Sequence, residues 1–320
     1  MEQQIAELRD LIDRHARPDT GTPIPGIMLA RQDVSAHEHT MSGTVMALVA
    51  QGAKHLALGN RLYQYHPGQY LVSSVDLPVT GRFIDASPDY QALGFGFVLE
   101  PVAIAELLLQ SGPSGVRQGS AVAPSGMLVS DAPEALLDAV LRLVRLLDSP
   151  HDIDVLAPLI KREILWRLMS GEQGGVVRQL GIPDSHLSHI SRGVRWIRQH
   201  YTTSFRVEDV AAFVGMSVSA FYRNFQAVTA MSPIQFQKRL RLQEARLLLA
   251  AHANDVTGVG FKVGYDSASQ FSREYRRYFG MPPSQDAQRL RLGLTPSTAD
   301  TDTDSMDRQL SGTCDSCSYV

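Results

Sequence analysis

One segment of this chain occurs twice, and each copy carries an arginine in the same place. A shift of 50 residues superposes Arg223 on Arg273. The same shift aligns five further pairs, namely Ser217 with Ser267, Phe221 with Phe271, Phe225 with Tyr275, Met231 with Met281 and Pro233 with Pro283. A guanidinium can donate two hydrogen bonds to one guanine edge, so paired arginines in a repeated frame predict two reading heads for a repeating ligand. The major groove of double-stranded DNA is such a ligand.

Each copy has the pattern of a helix-turn-helix unit: a leading helix, a glycine that permits a positive φ in the turn, a capping serine and a second helix. In the first copy these parts are residues 206–214, Gly215, Ser217 and residues 218–229. In the second copy they are residues 256–263, Gly264, Ser267 and residues 268–279.

Each second helix carries two aromatic residues one turn apart, and this pair marks the face that packs on the core. The opposite face is expected to enter the groove with its N-terminal half. With the capping serines, the candidate DNA contacts are Ser217, Ser219, Tyr222, Arg223, Gln226, Ser267, Ser269, Gln270, Arg273 and Arg276. Arg223 and Arg273 are the best candidates for base reading, since they occupy the same place in both copies.

The segment between the copies, residues 233–250, predicts a helix of about 18 residues and therefore about 27 Å. Successive major-groove faces recur at about 34 Å, so one rigid connector could set two heads on adjacent turns of the duplex. Basic residues on this helix are expected to contact phosphates, with ion pairs to Glu244 as the alternative. They are Lys238, Arg239, Arg241 and Arg246.

Charge is unevenly distributed along the chain. Residues 187–291 contain 15 Lys and Arg against 7 Asp and Glu, whereas the remainder contains 15 against 26. A basic module beside an acidic one is typical of a phosphate-binding domain joined to a domain that does not bind nucleic acid. A merely solvated basic surface is the alternative.

The N-terminal part has the rhythm of an antiparallel β-sandwich or small barrel, because short β-type runs recur between turn signals such as Gly59-Asn60 and Pro67-Gly68. The predicted strands are Ile27–Arg31, Thr44–Ala50, Lys54–Leu58, Arg61–Tyr65, Tyr70–Ser74, Val79–Ile84 and Leu93–Val98.

Helical periodicity follows in three segments, residues 101–110, 131–147 and 153–169. The last two segments could form either a dimer interface or an intramolecular hairpin that covers one side of the barrel. The fold class is therefore α+β, and the predicted domains are a β-barrel with helices at 1–170, a linker at 171–184, the duplicated helical domain at 185–291 and a disordered tail at 292–320.

The duplicated segment resembles the DNA-binding domain of AraC/XylS-type transcriptional regulators. The resemblance rests on seven motifs that follow in order over about 100 residues, written in one-letter code: VGMS at 214–217, FYRNF at 221–225, MSP at 231–233, KRLRL at 238–242, VGYDS at 263–267, FSR at 271–273 and FGMPP at 279–283. Gly260 stands where this family is expected to have alanine. The N-terminal part resembles the AraC-type sensor, a cupin-like barrel, at Tyr65–Val72 and Asp76–Val79.

This resemblance implies a small-molecule effector in the barrel, a homodimer, and control of transcription near a promoter, where RNA polymerase would be a partner. It does not distinguish an activator from a repressor. The N-terminal residues 1–17 predict an amphipathic helix rather than a secretion signal, and no apolar run is long enough to span a membrane, so a cytoplasmic location is expected.

The rival hypothesis is a cupin-type metalloenzyme with an accessory DNA-binding domain. His37 and His39 have the spacing of one half of a cupin metal site, but no glutamate follows them within reach, and His55 and His66 are the only further candidates. The two histidines are expected to be exposed or hydrogen-bonded in a loop, and no metal or other cofactor is predicted. Cys314 and Cys317 lie in a polar tail without further metal ligands, so they are interpreted as incidental.

Overall fold

The computed structural model describes residues 1–111, 125–251 and 255–292 of the chain. Its strands are β1 (Ile27–Gln32), β2 (Glu38–Ser42), β3 (Val45–Gln51), β4 (Ala53–Leu58), β5 (Arg61–Tyr65), β6 (Gln69–Ser73), β7 (Leu77–Ile84), β8 (Ala92–Val98) and β9 (Met127–Asp131). Its helices are α1 (Glu2–His15), α2 (Pro101–Ser111), α3 (Glu134–Arg145), α4 (Ile153–Ser170), α5 (Gly174–Gly181), α6 (His186–Gln199), α7 (Val207–Phe213), α8 (Val218–Thr229), α9 (Pro233–Ala251), α10 (Val256–Lys262), α11 (Ala268–Phe279) and α12 (Pro283–Arg291). The predicted α+β class is confirmed. The predicted tail and its two cysteines lie outside the described residues, apart from Leu292.

The strands form two antiparallel sheets, one in the order β1-β8-β3-β6-β9 and the other in the order β2-β7-β4-β5. The sequence predicted each of these strands except β2 and β9. The expectation that His39 lies in a loop is wrong, because it sits in edge strand β2, opposite Thr80 of β7. Only Met41 of this strand is a large apolar residue, so no alternation of apolar and polar residues marked it.

Helices α1, α3 and α4 cover one face of the five-stranded sheet, where large apolar side chains of alternate strand residues meet them. Those strand residues include Leu29, Met46, Leu48, Phe95 and Phe97, all of which are fully buried. Helix α3 is buried along its length against its own chain, as the hairpin interpretation predicts, whereas α4 leaves part of its apolar surface exposed.

The predicted linker contains α5, which packs against α2 and α4. Beyond it, α6 to α12 form the helical domain, and α9 is the long connecting helix that the sequence predicted. No helix among the described residues has the length and apolar character needed to cross a membrane.

The helical domain packs directly on the barrel, and one buried apolar cluster includes residues of both. The backbone of Gly126 donates to the carbonyl of Val228 at the end of α8 over 3.0 Å. The amide of Gln243 on α9 donates to the carbonyls of Thr40 and Val79, each over 3.4 Å. These contacts fasten both the first reading head and the connector to the barrel.

Candidate nucleic-acid interface

The first helix-turn-helix unit follows the predicted pattern. Gly215 lies in the left-handed region with φ of 76°, and the Ser217 hydroxyl accepts a hydrogen bond from the amide of Ala220 at the start of α8. Phe221 and Phe225 are fully buried, with ring centroids 5.3 Å apart. Because this pair orients α8, the opposite face points to solvent. The predicted contacts Ser217, Ser219, Tyr222, Arg223 and Gln226 are all exposed there.

The second unit repeats this geometry around α11. Gly264 has φ of 93°, and the Ser267 hydroxyl accepts from the amide of Gln270. The aromatic anchors Phe271 and Tyr275 are fully buried. Of the predicted contacts, Ser267, Ser269, Arg273 and Arg276 are exposed, and Gln270 is half-buried. Arg223 and Arg273 thus occupy equivalent exposed positions on two equivalent helices.

Two glycines of α10 have physical explanations. A Cβ on Gly260 would come within 2.9 Å of the Phe271 ring, so close packing of α10 on α11 requires glycine there. Gly258 was unexplained by the sequence alone. Its amide donates to the Asp255 carboxylate, which caps α10, over 2.8 Å, and a Cβ would overlap that carboxylate.

The basic residues of α9 make contacts within the chain. Lys238 Nζ lies 2.9 Å from a carboxylate oxygen of Glu274. Arg241 Nε donates to the carbonyl of Tyr201 over 2.6 Å, and its Nη2 donates to the carbonyl of Thr202 over 3.3 Å. The alternative of ion pairs with Glu244 is wrong for both Lys238 and Arg246, since Arg246 pairs with Asp286. Phosphate contact by Lys238 and Arg241 stays a prediction.

Comparison with known proteins agrees with this duplicated geometry. A model of the AraC-type transcriptional regulator N-terminus matches residues 23–176, and a helix-turn-helix domain model matches residues 210–289. The chain belongs to the AraC/XylS-type transcriptional regulators. The resemblance drawn from the sequence motifs is therefore confirmed for both parts of this regulator.

Curated relatives match parts of the regulator. The MmsAB operon regulatory protein of Pseudomonas aeruginosa is 35% identical over 98 residues, which are 31% of this chain and 32% of that protein. The transcriptional activator RhaS of Escherichia fergusonii is 27% identical over 151 residues, 47% of this chain and 53% of that protein. The regulator ExsA of Pseudomonas aeruginosa is 28% identical over 167 residues, 51% of this chain and 58% of that protein. The chain thus spans about a third to three fifths of the length of these relatives.

The fold of most of this chain is similar to that of ToxT from Vibrio cholerae. One ToxT structure superposes with a TM-score of 0.52 at 9% identity and covers 85% of this chain and 100% of that chain. Another, bound to (E)-4-(8-methylnaphthalen-1-yl)but-3-enoic acid, gives a TM-score of 0.51 at 9% identity, with 83% and 99% covered. At this identity the likeness shows a shared fold alone.

In this AraC/XylS-type regulator, Glu274 joins the connector to the second reading helix. Its carboxylate accepts from Lys238 Nζ over 2.9 Å, from the Tyr265 hydroxyl over 3.0 Å and from the Gln270 amide over 3.3 Å. Burial alone would raise the pKa of Glu274, but these hydrogen bonds hold the pKa below its usual value. The charged carboxylate therefore fixes α11 against α9.

Arg277 is a further basic residue of α11, outside the predicted contacts, although its basic neighbours were a signal. Together with Arg273 and Arg276, it lines a surface concavity of about 580 Å³ on the C-terminal half of α11. Three arginine side chains beside one concavity give this surface a positive charge, which favours an anionic partner such as a phosphate. The basic surface of the second unit therefore extends beyond the predicted positions.

His39, one of the residues behind the metal hypothesis, lies between the barrel and the helical domain. The ring of His39 packs against Tyr278 and Phe279 of the helical domain, with centroids 5.3 and 4.7 Å away, and its Nδ1 is hydrogen-bonded to the Thr80 hydroxyl. Burial lowers the pKa of His39 to about 3, so its ring is neutral. Among the described residues, no group of three or more His, Cys, Asp or Glu could hold a metal ion. His39 is a packing residue of the domain interface.

Proposed function

We propose that this regulator binds a specific double-stranded DNA sequence by placing α8 and α11 in successive major grooves. This proposal rests on the equivalence of the two helix-turn-helix units. Arg223 and Arg273 are exposed at matching positions, each six residues after a capping serine and beside a buried aromatic pair. This is the arrangement by which helix-turn-helix proteins present a recognition helix to base edges.

The packing of the domain favours joint action of the two units. Helix α9 connects them without interruption from Pro233 to Ala251 and is fixed to α11 through Glu274. Barrel contacts fall on α9, on the end of α8 and on Tyr278 and Phe279, while both arginines stay exposed. The two heads would therefore meet the duplex as one rigid body.

Replacing Arg223 or Arg273 by alanine is expected to weaken binding to the operator by about 1–3 kcal/mol each, which is about 5- to 150-fold in Kd. The loss arises because each guanidinium would donate two hydrogen bonds to a guanine. The operator would first be selected from a random duplex library with the purified chain, and Kd would then be measured by fluorescence anisotropy at fixed salt.

Arg206→Ala provides the control, since Arg206 is an exposed arginine outside the reading helices. Each reading-head variant should also lose preference at its own base pair, with the two positions about one duplex turn apart. Equal losses on operator and random DNA would show that these arginines contact only phosphates. Protection of a single groove segment in a footprint would contradict the two-headed arrangement.

The N-terminal barrel is proposed to bind a small-molecule effector that changes operator binding. Support comes from the match to the AraC-type N-terminus and from the similar fold of ToxT, whose structure holds a substituted butenoic acid. Several relatives are named transcriptional activators, so we propose action near a promoter, with RNA polymerase as a partner and the cytoplasm as the location.

We also propose that the regulator forms a homodimer through α4. This helix exposes the large apolar side chains of Val155, Leu159 and Trp166, which lie about one helical turn apart or at multiples of it. An apolar stripe on an otherwise packed helix is typical of a protein interface. A second copy would bury the same stripe symmetrically.

Leu159→Glu is expected to weaken the dimer by about tenfold or more, because it places a charge in an apolar interface. Analytical ultracentrifugation over a range of protein concentrations would measure the dissociation constant. Leu247→Glu is the matched control, since Leu247 is exposed to a similar degree, 67% against 61%, on α9 of the other domain. An unmodified chain that stays monomeric at all concentrations would contradict this proposal.

A further inference from the structure

A row of three chemically distinct side chains crosses the four-stranded sheet. Lys54 of β4 pairs with Tyr65 of β5 on one side and with Phe83 of β7 on the other. Directly paired residues of antiparallel strands project from the same face, so all three side chains lie together. The Phe83 ring reaches to 3.6 Å from the position of a Cβ on Gly94 of β8, which belongs to the other sheet. The row therefore faces the interior of the barrel.

The interior opposite this row is lined by small side chains and is partly open. Ala47 and Met28 both pair with Gly96, and all three are half-buried. Their neighbours on the same strands that face the helices, such as Leu29 and Met46, are fully buried. The helix-covered face of the five-stranded sheet is sealed, whereas solvent reaches the face inside the barrel.

Lys54 brings a positive charge to this interior, where one aromatic ring and one distant carboxylate face it. Its side chain is 14% exposed, and its ammonium lies 3.9 Å from the centroid of the Phe83 ring. The nearest carboxylate oxygen, on Glu38, is 3.8 Å away on a side chain that is 48% exposed. Within the described residues its ammonium makes no hydrogen bond, and burial lowers the pKa of Lys54. An ammonium on a largely buried side chain, with no hydrogen-bond acceptor from the described residues, can bind an acceptor group that enters the barrel.

Tyr65 adds a second donor to the row. This residue is 4% exposed, and its hydroxyl has no hydrogen-bond partner within the described part of the chain. Burial raises the pKa of the hydroxyl, which keeps it protonated and able to donate. An ammonium and a phenol on adjacent strands can converge on one acceptor group.

We propose that Lys54 and Tyr65 bind the carboxylate of a small organic acid inside the barrel, with Phe83 against its apolar body. This inference rests on the proposed function and names the chemical class of its effector. A single ammonium matches a singly charged carboxylate, whereas a phosphate dianion would bring more charge into an apolar interior than one lysine balances. Phe83, which faces the ammonium, and Leu56, two residues along β4 on the same face, suit a ligand with a hydrocarbon or aromatic body.

Strand β7 contributes both to this proposed site and to the contact with the helical domain. Strand β7 presents Phe83 to the barrel interior and Thr80 to the outer face, where Thr80 holds His39 against Tyr278 and Phe279. A ligand that moved Phe83 would therefore act on the strand that carries the domain contact.

The test measures thermal unfolding of the full chain with 3-phenylpropanoate and octanoate at about 10 mM, against the matched alcohols 3-phenylpropan-1-ol and octan-1-ol and against inorganic phosphate. Both carboxylates are expected to raise the Tm, and the alcohols and phosphate are not. Lys54→Met should raise the Tm of the ligand-free chain and weaken carboxylate binding by about tenfold or more, measured by titration calorimetry. Tyr65→Phe should weaken carboxylate binding about fivefold. Lys262→Met, at an exposed lysine of α10, should bind like the unmodified chain.

The inference is overturned if neither carboxylate stabilises the unmodified chain, if the alcohols stabilise it equally, or if Lys54→Met binds as tightly as the unmodified chain. Should Lys54→Met not fold, Lys54→Gln and Tyr65→Phe carry the same test. Operator binding is measured on the same preparations without acid. If the chain binds DNA but no carboxylate, the proposed DNA-binding function stands and the carboxylate site is wrong. If the chain binds a carboxylate but no DNA, the carboxylate site stands and the proposed DNA-binding function is wrong.

Discussion

Arg246→Met is expected to destabilise the helical domain by about 3–5 kcal/mol, because it leaves the buried carboxylate of Asp286 without its ion-pair partner. Arg246 Nε lies 2.9 Å from Asp286 Oδ2, and the two side chains are only 15% and 3% exposed. The Tyr275 hydroxyl donates to the same oxygen over 2.7 Å. Burial, together with the Asp286 charge, raises the pKa of Tyr275, so this hydroxyl stays a donor. Without the guanidinium, the Tyr275 hydroxyl is the hydrogen-bond donor that remains to the Asp286 carboxylate in the part of the chain that the structure describes.

Urea unfolding followed by circular dichroism would measure this loss, with two comparison variants. Arg206→Met breaks an exposed contact with Glu208 at 3.8 Å and should change the free energy of unfolding by less than about 1 kcal/mol. The double variant Arg246→Met with Asp286→Leu should recover most of the stability, since it removes both charges. A single variant that is no less stable than Arg206→Met would show that Asp286 does not depend on Arg246. Because Asp286 ties α12 to α9 and α11, operator binding should fall along with stability.

Gly264→Ala is expected to cost about 3 kcal/mol or more, whereas Gly215→Ala should cost about 1–2 kcal/mol. Both glycines have positive φ, so both substitutions strain the backbone. A Cβ on Gly215 would meet open space, but a Cβ on Gly264 would overlap the carbonyl oxygen of Thr202. The difference between the two variants therefore isolates the close approach from the φ strain.

Displacing the Thr202 carbonyl would cost free energy, because side chains of α9 donate hydrogen bonds to the loop that contains it. Arg241 donates to the carbonyls of Tyr201 and Thr202, and Gln237 donates to those of Tyr201 and Thr203. The turn of the second unit is therefore packed on the loop before the first unit, and Gly264→Ala should loosen both. Unfolding in urea and operator affinity would be measured for both variants. Equal losses for Gly215→Ala and Gly264→Ala would contradict the close approach.

The elements of the reading heads were predictable because their signals are local. Ser217 and Ser267 cap helices three residues ahead of the amides they accept from, and each aromatic pair is one turn apart. The strands missed by the sequence analysis have nonlocal causes. Strand β2 is polar, and His39 pairs with Thr80, 41 residues away. No periodicity within β2 could reveal a partner at that distance.

Long side chains account for the remaining differences at the candidate site. Lys238 and Arg241 were correctly placed on the connecting helix, but their partners lie on other elements, at Glu274 and at the loop of Tyr201 and Thr202. Which donor meets which acceptor depends on the path of the chain in space.

The amino-acid sequence by itself determined that two matching units, each with a turn glycine, a capped helix and an outward arginine, are joined by one long helix, since 3.6-residue periodicity and capping act within a few residues. Only the tertiary structure decided that the barrel packs on α8 and α9, that Gly264 abuts Thr202, and that Lys54 and Tyr65 share the barrel interior. These arrangements arise from pairing and packing between segments far apart in the chain, whose free energy depends on every surface that meets there.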